Sequence, residues 1–261
     1  MKYLELDFAN GVSTVTLNRP EVRNAFNEEV IAELTAVFME LGDREEVRCI
    51  VLAAAGTAFC AGADLNWMQR MAGYSREENL ADAQALAGML RVLYRCPKPV
   101  IARVQGDVFA GGTGLVAACD IAVAVDTAGF CLSETRLGLV PATISPYVIR
   151  AMGARAAHRY FLTAERFDAA EALRIGFVHE VVAADALDAK VAQIAGALVS
   201  AGPAAVKASK ALVQDIALEE IDNGLIARTA ETIADIRVSP EGREGIQSFL
   251  EKRKPSWLVQ G

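Results

Sequence analysis

Along the first hundred residues, short apolar runs alternate with amphipathic stretches and glycine turns. Leu4, Leu6 and Phe8 alternate with Glu5 and Asp7, which predicts a half-buried strand. Gly11 marks a turn, and Val15 and Leu17 continue a second strand, so a hairpin is expected. Residues 18–27 form a polar loop ending on Asn27, which suits the cap of a helix with Glu28 and Glu29 in its first turn. Val30, Ile31, Leu34, Val37, Phe38 and Leu41 share one face of that helix. Residues 49–53 read as an apolar strand, 56–64 (GTAFCAGAD) as a glycine turn, and a helix is expected from Leu65. Residues 76–93 form a mostly helical amphipathic stretch that Cys96-Pro97-Lys98-Pro99 ends.

Residues 100–123 repeat the layout of strand, glycine turn and helix, and the rest of the chain is organised around them. Val100–Val104 is a buried strand, a turn carries Gly106, Gly111, Gly112 and Gly114, and Leu115 to Ala118 look like a buried helix. Asp120 to Val123 starts another strand, and 129–132 a short one. Residues 142–152 read as a loop becoming helix with Gly153 as its stop. Residues 154–161 and 168–174 read as short helices, and 177–182 as a strand. Leu187, Val191, Ile194 and Leu198 mark a helix. From Gly202 the strand pattern stops, and Pro203–Ile216, 218–237 and 240–252 read as helices. Ser239 caps the last, Pro240 opens it, and Ile246, Phe249 and Leu250 share a face. The recurring strand–strand–helix rhythm predicts a layered α/β fold over residues 1–200, followed by an all-helical module over 201–261, an oligomer interface or a lid.

A glycine turn at a helix N-terminus can cradle negative charge on backbone N–H groups. A phosphate loop fails because Gly112 stands where GxxxxGK[ST] needs lysine, and no GxGxxG dinucleotide fingerprint occurs. An oxyanion site and a plain tight turn both stay open. The 261 residues are 53% hydrophobic and 23% charged, ample for a packed core, and the net charge of −7 argues against nucleic acid or an anionic membrane as the main partner. Cys49, Cys60, Cys96, Cys119 and Cys131 form no CxxC pair and read as reduced, mostly buried thiols of a cytoplasmic protein. No signal peptide is read in MKYLELDF, and no run of about 18 apolar residues predicts a membrane span.

The segments NRPEVRNAFN (18–27), AFCAGADL (58–65), the central glycine stretch ending in CDIAV, SETRLGLVP (133–141), AERFDAAEALRIGFVHEVV (164–182) and SFLEKRKP (248–255) together resemble the enoyl-CoA hydratase/isomerase (crotonase) superfamily, from Leu4 to Trp257. The resemblance implies a spiral of ββα repeats with a C-terminal helical module, assembled as a homo-trimer or a dimer of trimers. It implies an acyl-CoA thioester as substrate, with no cofactor beyond the coenzyme A that the substrate carries. Two backbone N–H groups of the family hold the thioester oxygen, and these map to Ala63 and Gly111. Contacts to coenzyme A map to Arg23, Ala25, Ala61, Asp64 and Leu65, with Phe249 and Lys252 reaching a neighbouring subunit. Without the resemblance, Arg23 and Lys252 would read as solvated surface charges.

Hydratases of this family carry two glutamates beside the α and β carbons. The second is Glu134, whose burial would raise its pKa. The first, counted three residues after Gly111, falls on Gly114. Three explanations follow: Glu134 acts alone through one water, or Thr113, Ser145, Tyr147 or a substrate carboxylate helps, or the reaction is a double-bond shift that one carboxylate can carry. Segments 63–68, 111–115, 130–148 and 159–168 resemble bacterial hydratases of 3-methylglutaconyl-CoA in leucine breakdown, which also have glycine at the first position. The expected reaction is thus water addition to a branched, carboxylated 2-enoyl-CoA. The alternatives are an enoyl-CoA isomerase and a non-catalytic CoA-ester- or RNA-binding member of the fold. Trp67 and Met68 read first as core and second as acyl pocket. His158 and His179 sit in no motif the chemistry needs, no metal-ligand spacing occurs, and no GxSxG is present.

Overall fold

The structure, a computed structural model, describes residues 1–258; residues 259–261 of the expected C-terminal module lie outside the described residues. β1 (Leu4–Ala9) and β2 (Val12–Leu17) form the expected antiparallel hairpin. α1 (Glu28–Asp43) starts where the Asn27 side chain accepts from the Val30 N–H, and it buries all six residues of its apolar face. β3 (Cys49–Ala54) is wholly buried, as a strand flanked on both sides must be. β4 (Ala58–Cys60), α2 (Leu65–Met71) and α3 (Arg76–Arg95) follow, then β5 (Val100–Val104), β6 (Asp107–Phe109), α4 (Gly111–Ala118), β7 (Ile121–Val125) and β8 (Gly129–Cys131). The remainder is α5 (Ser145–Thr163), β9 (Phe167–Asp168), α6 (Ala169–Arg174), β10 (Glu180–Val182), α7 (Leu187–Ser200), α8 (Pro203–Ile216), α9 (Asn223–Val238) and α10 (Pro240–Leu250).

The larger sheet has the order β1-β2-β3-β5-β7-β10 and is parallel except at the hairpin. The smaller has the order β4-β6-β8-β9 and is antiparallel only at β9. One continuous core draws Ile50 and Leu52 from the first sheet, Phe59, Val108 and Phe130 from the second, and Leu34, Phe38, Leu90 and Leu93 from α1 and α3. α8 is tied to this body by Lys210 Nζ, which donates to Asp120 Oδ2 at 2.6 Å and to Lys98 O at 3.0 Å. Burial holds the Asp120 carboxyl above its ordinary pKa even with Lys210 against it. α10 packs on α8 and α9.

Several expectations need correction. Leu6 and Phe8 are exposed, because β1 is the sheet edge and only its first residue reaches the core; the Arg44 guanidinium lies over the Phe8 ring instead. Each glycine turn contains a three-residue strand, β4 and β6, too short for periodicity to reveal. The central helix begins at Gly111 rather than Leu115, so three glycines lie inside it. The strand expected over 177–182 shrinks to Glu180–Val182, since His179 uses its main chain and its Nδ1 to bond Ala122. The helix expected from Leu218 begins at Asn223, where the Asp222 side chain caps it. Gly153, at φ +75°, breaks α5 rather than ending it. On α10, Ile246, Phe249 and Leu250 share their face as expected but are exposed in the single chain.

Candidate active site

Three neighbouring parallel strands of the smaller sheet each end just before a residue singled out for chemistry. β4 leads into Ala61–Asp64, β6 into Ala110 and Gly111, and β8 into Glu134. The C-terminal edge of a parallel sheet is where loops and helix N-termini can converge on a ligand. The Ala110 N–H donates to Cys131 O at 2.8 Å, which locks the end of β6 to the end of β8.

The two donors that the sequence singled out are backbone N–H groups with no acceptor among the described residues. Ala63 lies in a turn clamped on both sides to residue 26: the Phe26 N–H donates to Gly62 O at 2.9 Å, and the Asp64 N–H to Phe26 O at 3.0 Å. Gly62 has φ +89°, and a β-carbon there would stand 3.0 Å from the Ala110 methyl, so this turn lies directly against the Ala110–Gly111 peptide. Gly111 is the first residue of α4, where N–H groups have no partner in the helix. Its orientation is set by Ala110, held at φ +46° and ψ −122°, a conformation strained for a residue with a side chain. The Thr113 N–H and hydroxyl both donate to Ala110 O, at 2.9 and 2.6 Å, and hold it there. A β-carbon on Gly111 would overlap the tip of the buried Phe26 ring.

Glu134 opens a single 3-10 turn, Glu134–Leu137, which Gly138 closes at φ +72° by donating to the carbonyls of Glu134 and Thr135. Its carbonyl is thereby satisfied, while its Oε2 is buried with no hydrogen-bond partner among the described residues. Burial pushes the carboxyl above its ordinary pKa, against a smaller opposing pull from its own backbone N–H. A desolvated carboxylate oxygen without a partner is costly unless a ligand or substrate proton uses it.

At Gly114 a β-carbon would overlap Ile144 Cγ2 and stand 2.8 Å from Ile144 Cβ. Ile144, buried at the entry to α5, thus fills the space that a side chain at position 114 would need. Of the suggested helpers, Thr113 donates to Ala110 O and Ser145 to Ala142 O, while the Tyr147 ring packs edge-on against Tyr94 at 5.3 Å.

Arg23, Ala25, Ala61 and Asp64 come together on one seam. The Ala61 N–H donates to Arg23 O at 2.9 Å, and the exposed Arg23 side chain leaves from a residue at φ +52°. Leu65 is 81% exposed beside this seam. Asp64 departs from a surface ligand contact: its carboxylate is buried, Oδ1 accepts from the Asn66 and Trp67 N–H groups to cap α2, and Oδ2 pairs with Arg19 at 2.9 Å. Burial opposes its ionisation, but Arg19 and the two N–H groups prevail and hold it below the ordinary carboxylate range. Phe249 and Lys252 are not brought to the seam within one chain; both are exposed, at and just beyond the end of α10.

Sequence reasoning missed Arg19, Asn24 and Ile144. Asn24 is buried and spends its side chain on Ala55 O, Ala58 O and the Arg19 N–H, fixing the loop to the start of β4. A buried-loop signal existed in NRPEVRNAFN, whose three asparagines and two arginines need partners somewhere. Trp67 is core, with Nε1 donating to Asp82. His158 is exposed. Among the described residues, no group of His, Cys, Asp and Glu is arranged to hold a metal, and no single helix is long and apolar enough to cross a membrane.

A sequence model of the enoyl-CoA hydratase/isomerase family matches residues 7–260. The crotonyl-CoA hydratase of Syntrophomonas wolfei is 31% identical over 249 residues, covering 95% of this chain and 94% of that one. Among solved structures, an enoyl-CoA hydratase from Shewanella pealeana is similar with a TM-score of 0.95 at 46% identity, covering 98% of this chain and 96% of that one. An enoyl-CoA hydratase from Mycobacterium smegmatis gives 0.92 at 38% identity, with 98% and 99% covered.

Proposed function

From the premise that this chain belongs to the enoyl-CoA hydratase/isomerase family of the crotonase superfamily, we propose that it adds water across the 2,3 double bond of an enoyl-CoA thioester. The observation that carries the reading is Glu134, whose buried Oε2 has no partner among the described residues, at the sheet edge where the N–H groups of Ala63 and Gly111 likewise have no acceptor among them. The thioester carbonyl lies between those N–H groups. Glu134 takes a proton from water as the water oxygen bonds to C3. The electron pair of the double bond moves toward the carbonyl, whose oxygen becomes negative between the two donors. Glu134 then delivers a proton to C2, which restores the carboxylate. Each such donor is worth about 2.7–4 kcal/mol of barrier.

Ile144 occupies the space of a second carboxylate, so one group serves as base and then acid. The raised pKa of Glu134 suits that alternation, because proton gain and loss lie closer in energy near neutrality. Arg23, Ala25, Ala61 and the main chain at 64–65 receive the coenzyme A portion. Phe249 and Lys252 reach that portion on a neighbouring copy in a trimeric assembly. Coenzyme A arrives with the substrate and no other cofactor is needed. The acyl group is branched and carboxylated, as in 3-methylglutaconyl-CoA. The apolar Ile144 also favours a second reading, a double-bond shift between carbons that needs only one carboxylate.

Incubation with crotonyl-CoA, 3-methylglutaconyl-CoA and a 3-enoyl-CoA separates these. Loss of the 2-enoyl thioester absorbance with the mass of one water gained supports hydration. Appearance of that absorbance from the 3-enoyl substrate alone supports isomerisation. Silence with all three, with coenzyme A still bound, overturns both. Glu134→Gln is expected to abolish turnover and spare coenzyme A binding; substantial residual turnover would refute the single-carboxylate mechanism.

A further inference from the structure

We propose that Arg19 is a positioning residue for the reaction, holding the Ala63 N–H in line with that of Gly111. The inference rests on the reading of those two groups as the thioester donors. Arg19 leaves the end of β2 and turns inward, with its side chain 13% exposed and that of Asp64 7% exposed. One guanidinium nitrogen, Nη1, donates to Ala25 O at 2.6 Å, and the other, Nη2, to Asp64 Oδ2 at 2.9 Å. Its plane lies over the Tyr3 ring, 4.8 Å from the centroid. The fork therefore bridges the two segments that Phe26 also joins, through its N–H to Gly62 O and its carbonyl to the Asp64 N–H.

Ala63 is the single residue between those two main-chain bonds. Its neighbours Gly62 and Asp64 both bond Phe26, Asp64 is tied through Arg19 to Ala25 O, and the N–H of Ala63 itself is left without an acceptor among the described residues. Asp64 adds rigidity from the other side, since its second oxygen caps α2. A planar five-donor fork fits this arrangement, while a lysine ammonium is a point charge on a flexible stem and cannot match both acceptors in that geometry. The same fork holds the carbonyl of Ala25, two residues on from Arg23, so engagement of the coenzyme A end is transmitted to the donor at the thioester end. Remote binding energy can then be spent at the reacting carbon.

Arg19→Met, Arg19→Lys and the double variant Arg19→Met/Asp64→Asn test this. Asparagine keeps an oxygen for the α2 cap and removes the buried charge that Arg19→Met strands. The measurements are thermal midpoint, kcat and KM with crotonyl-CoA, and the enolate absorption of bound acetoacetyl-CoA, which reports the donor pair directly. The double variant is expected to regain the midpoint lost in Arg19→Met. Its kcat should stay on the order of 100-fold below the parent, with KM little changed and the enolate band weakened. Arg19→Lys, which keeps a charge opposite Asp64, should lose kcat about tenfold and keep the midpoint. Recovery of kcat and of the enolate band together with the midpoint would reduce Arg19 to a purely structural ion pair and overturn the proposal. A parent protein that turns over enoyl-CoA but shows no enolate band would instead overturn the donor reading itself.

Discussion

The two glycine turns that would serve one carbonyl oxygen in the proposed reaction are built on opposite principles. The turn at 61–64 is held by polar bonds: the Arg19–Asp64 pair, the cap of α2 and the two main-chain bonds to Phe26. The turn at 110–114 is held chiefly by shape, with Phe26 against Gly111, Cys60 against Gly112, Ile144 against Gly114 and a strained Ala110 pinned by Thr113. A polar clamp lets the chain carry a side chain at 63, whereas close packing forbids one at 111, 112 and 114. The two turns should therefore fail differently: the first through charge and geometry, the second through volume.

The sharpest break is Gly111→Ala. The new methyl would overlap a buried ring that has no exposed space to move into, so the N–H must shift. Turnover of crotonyl-CoA should fall on the order of 1,000-fold, the scale of a lost oxyanion donor. Pairing it with Phe26→Leu, which opens room, should recover part of the loss. If Gly111→Ala retains most of its activity, shape does not govern this turn.

Next in size is Gly114→Glu. Glutamate would collide with Ile144, and overpacking of this kind costs about 1–3 kcal/mol, read as a lower urea midpoint at unchanged slope. Adding Ile144→Ala should restore stability and place a second carboxylate near the first. The pH dependence of kcat/KM should then change from one acid limb to two ionisations. A double variant no more stable than the single one would show that Ile144 is not the obstacle.

How far these contrasts were legible varies with distance along the chain. The face of α1 and its Asn27 cap were visible because every partner lies within a few residues. Glu134, Ala63 and Gly111 could be located because their motifs are contiguous, and the fold the motifs implied is the one shared with the Shewanella pealeana enzyme. Arg19 stayed hidden because its acceptor on Asp64 is 45 residues away, and Asn24 because it bonds Ala58, 34 residues on. Ile144 looked like one more apolar residue, since nothing local tells which glycine it fills. Leu6 and Phe8 misled for the converse reason: alternation marks a strand but not its place at the sheet edge.

Glu134→Gln sharpens the comparison from the side of the carboxylate proposed to work beside both turns. The folded chain raises the Glu134 pKa by burial, so its contribution to stability is present below the unfolded value and lost as pH rises through the folded one. At pH 8 the ionised carboxylate is a liability, and replacing it should raise the thermal midpoint by about 2–4 °C, the shift that roughly 1 kcal/mol gives in a chain of this size. At pH 4 the gain should shrink. In the parent, kcat/KM should fall on acidification with a midpoint above about 4.3, the ordinary glutamate value. A midpoint at or below that value, or a variant no more stable at pH 8, would contradict a desolvated base.

The smallest expected effect tests whether strain is what aims the central donor. Ala110→Gly removes the conformational penalty at φ +46°, which for such a residue is about 1–3 kcal/mol. Against that stand the extra freedom of glycine in the unfolded chain, about 0.4–1 kcal/mol, and a lost methyl contact with Gly62, about 0.8 kcal/mol if fully buried. The terms nearly cancel, so unfolding free energy should change by less than about 1 kcal/mol. Activity should not be spared in proportion. Glycine can rotate the 110–111 peptide out of register at little cost, and the Thr113 bonds would be left to hold the carbonyl. A severalfold drop in kcat at near-constant stability is the expected result. No such substitution is available in the turn at 61–64, where Ala63 is held by its neighbours' hydrogen bonds rather than by its own backbone. A loss of stability large enough to track the loss of kcat would show that Ala110 is ordinary scaffold, and that both turns are held by bonding alone.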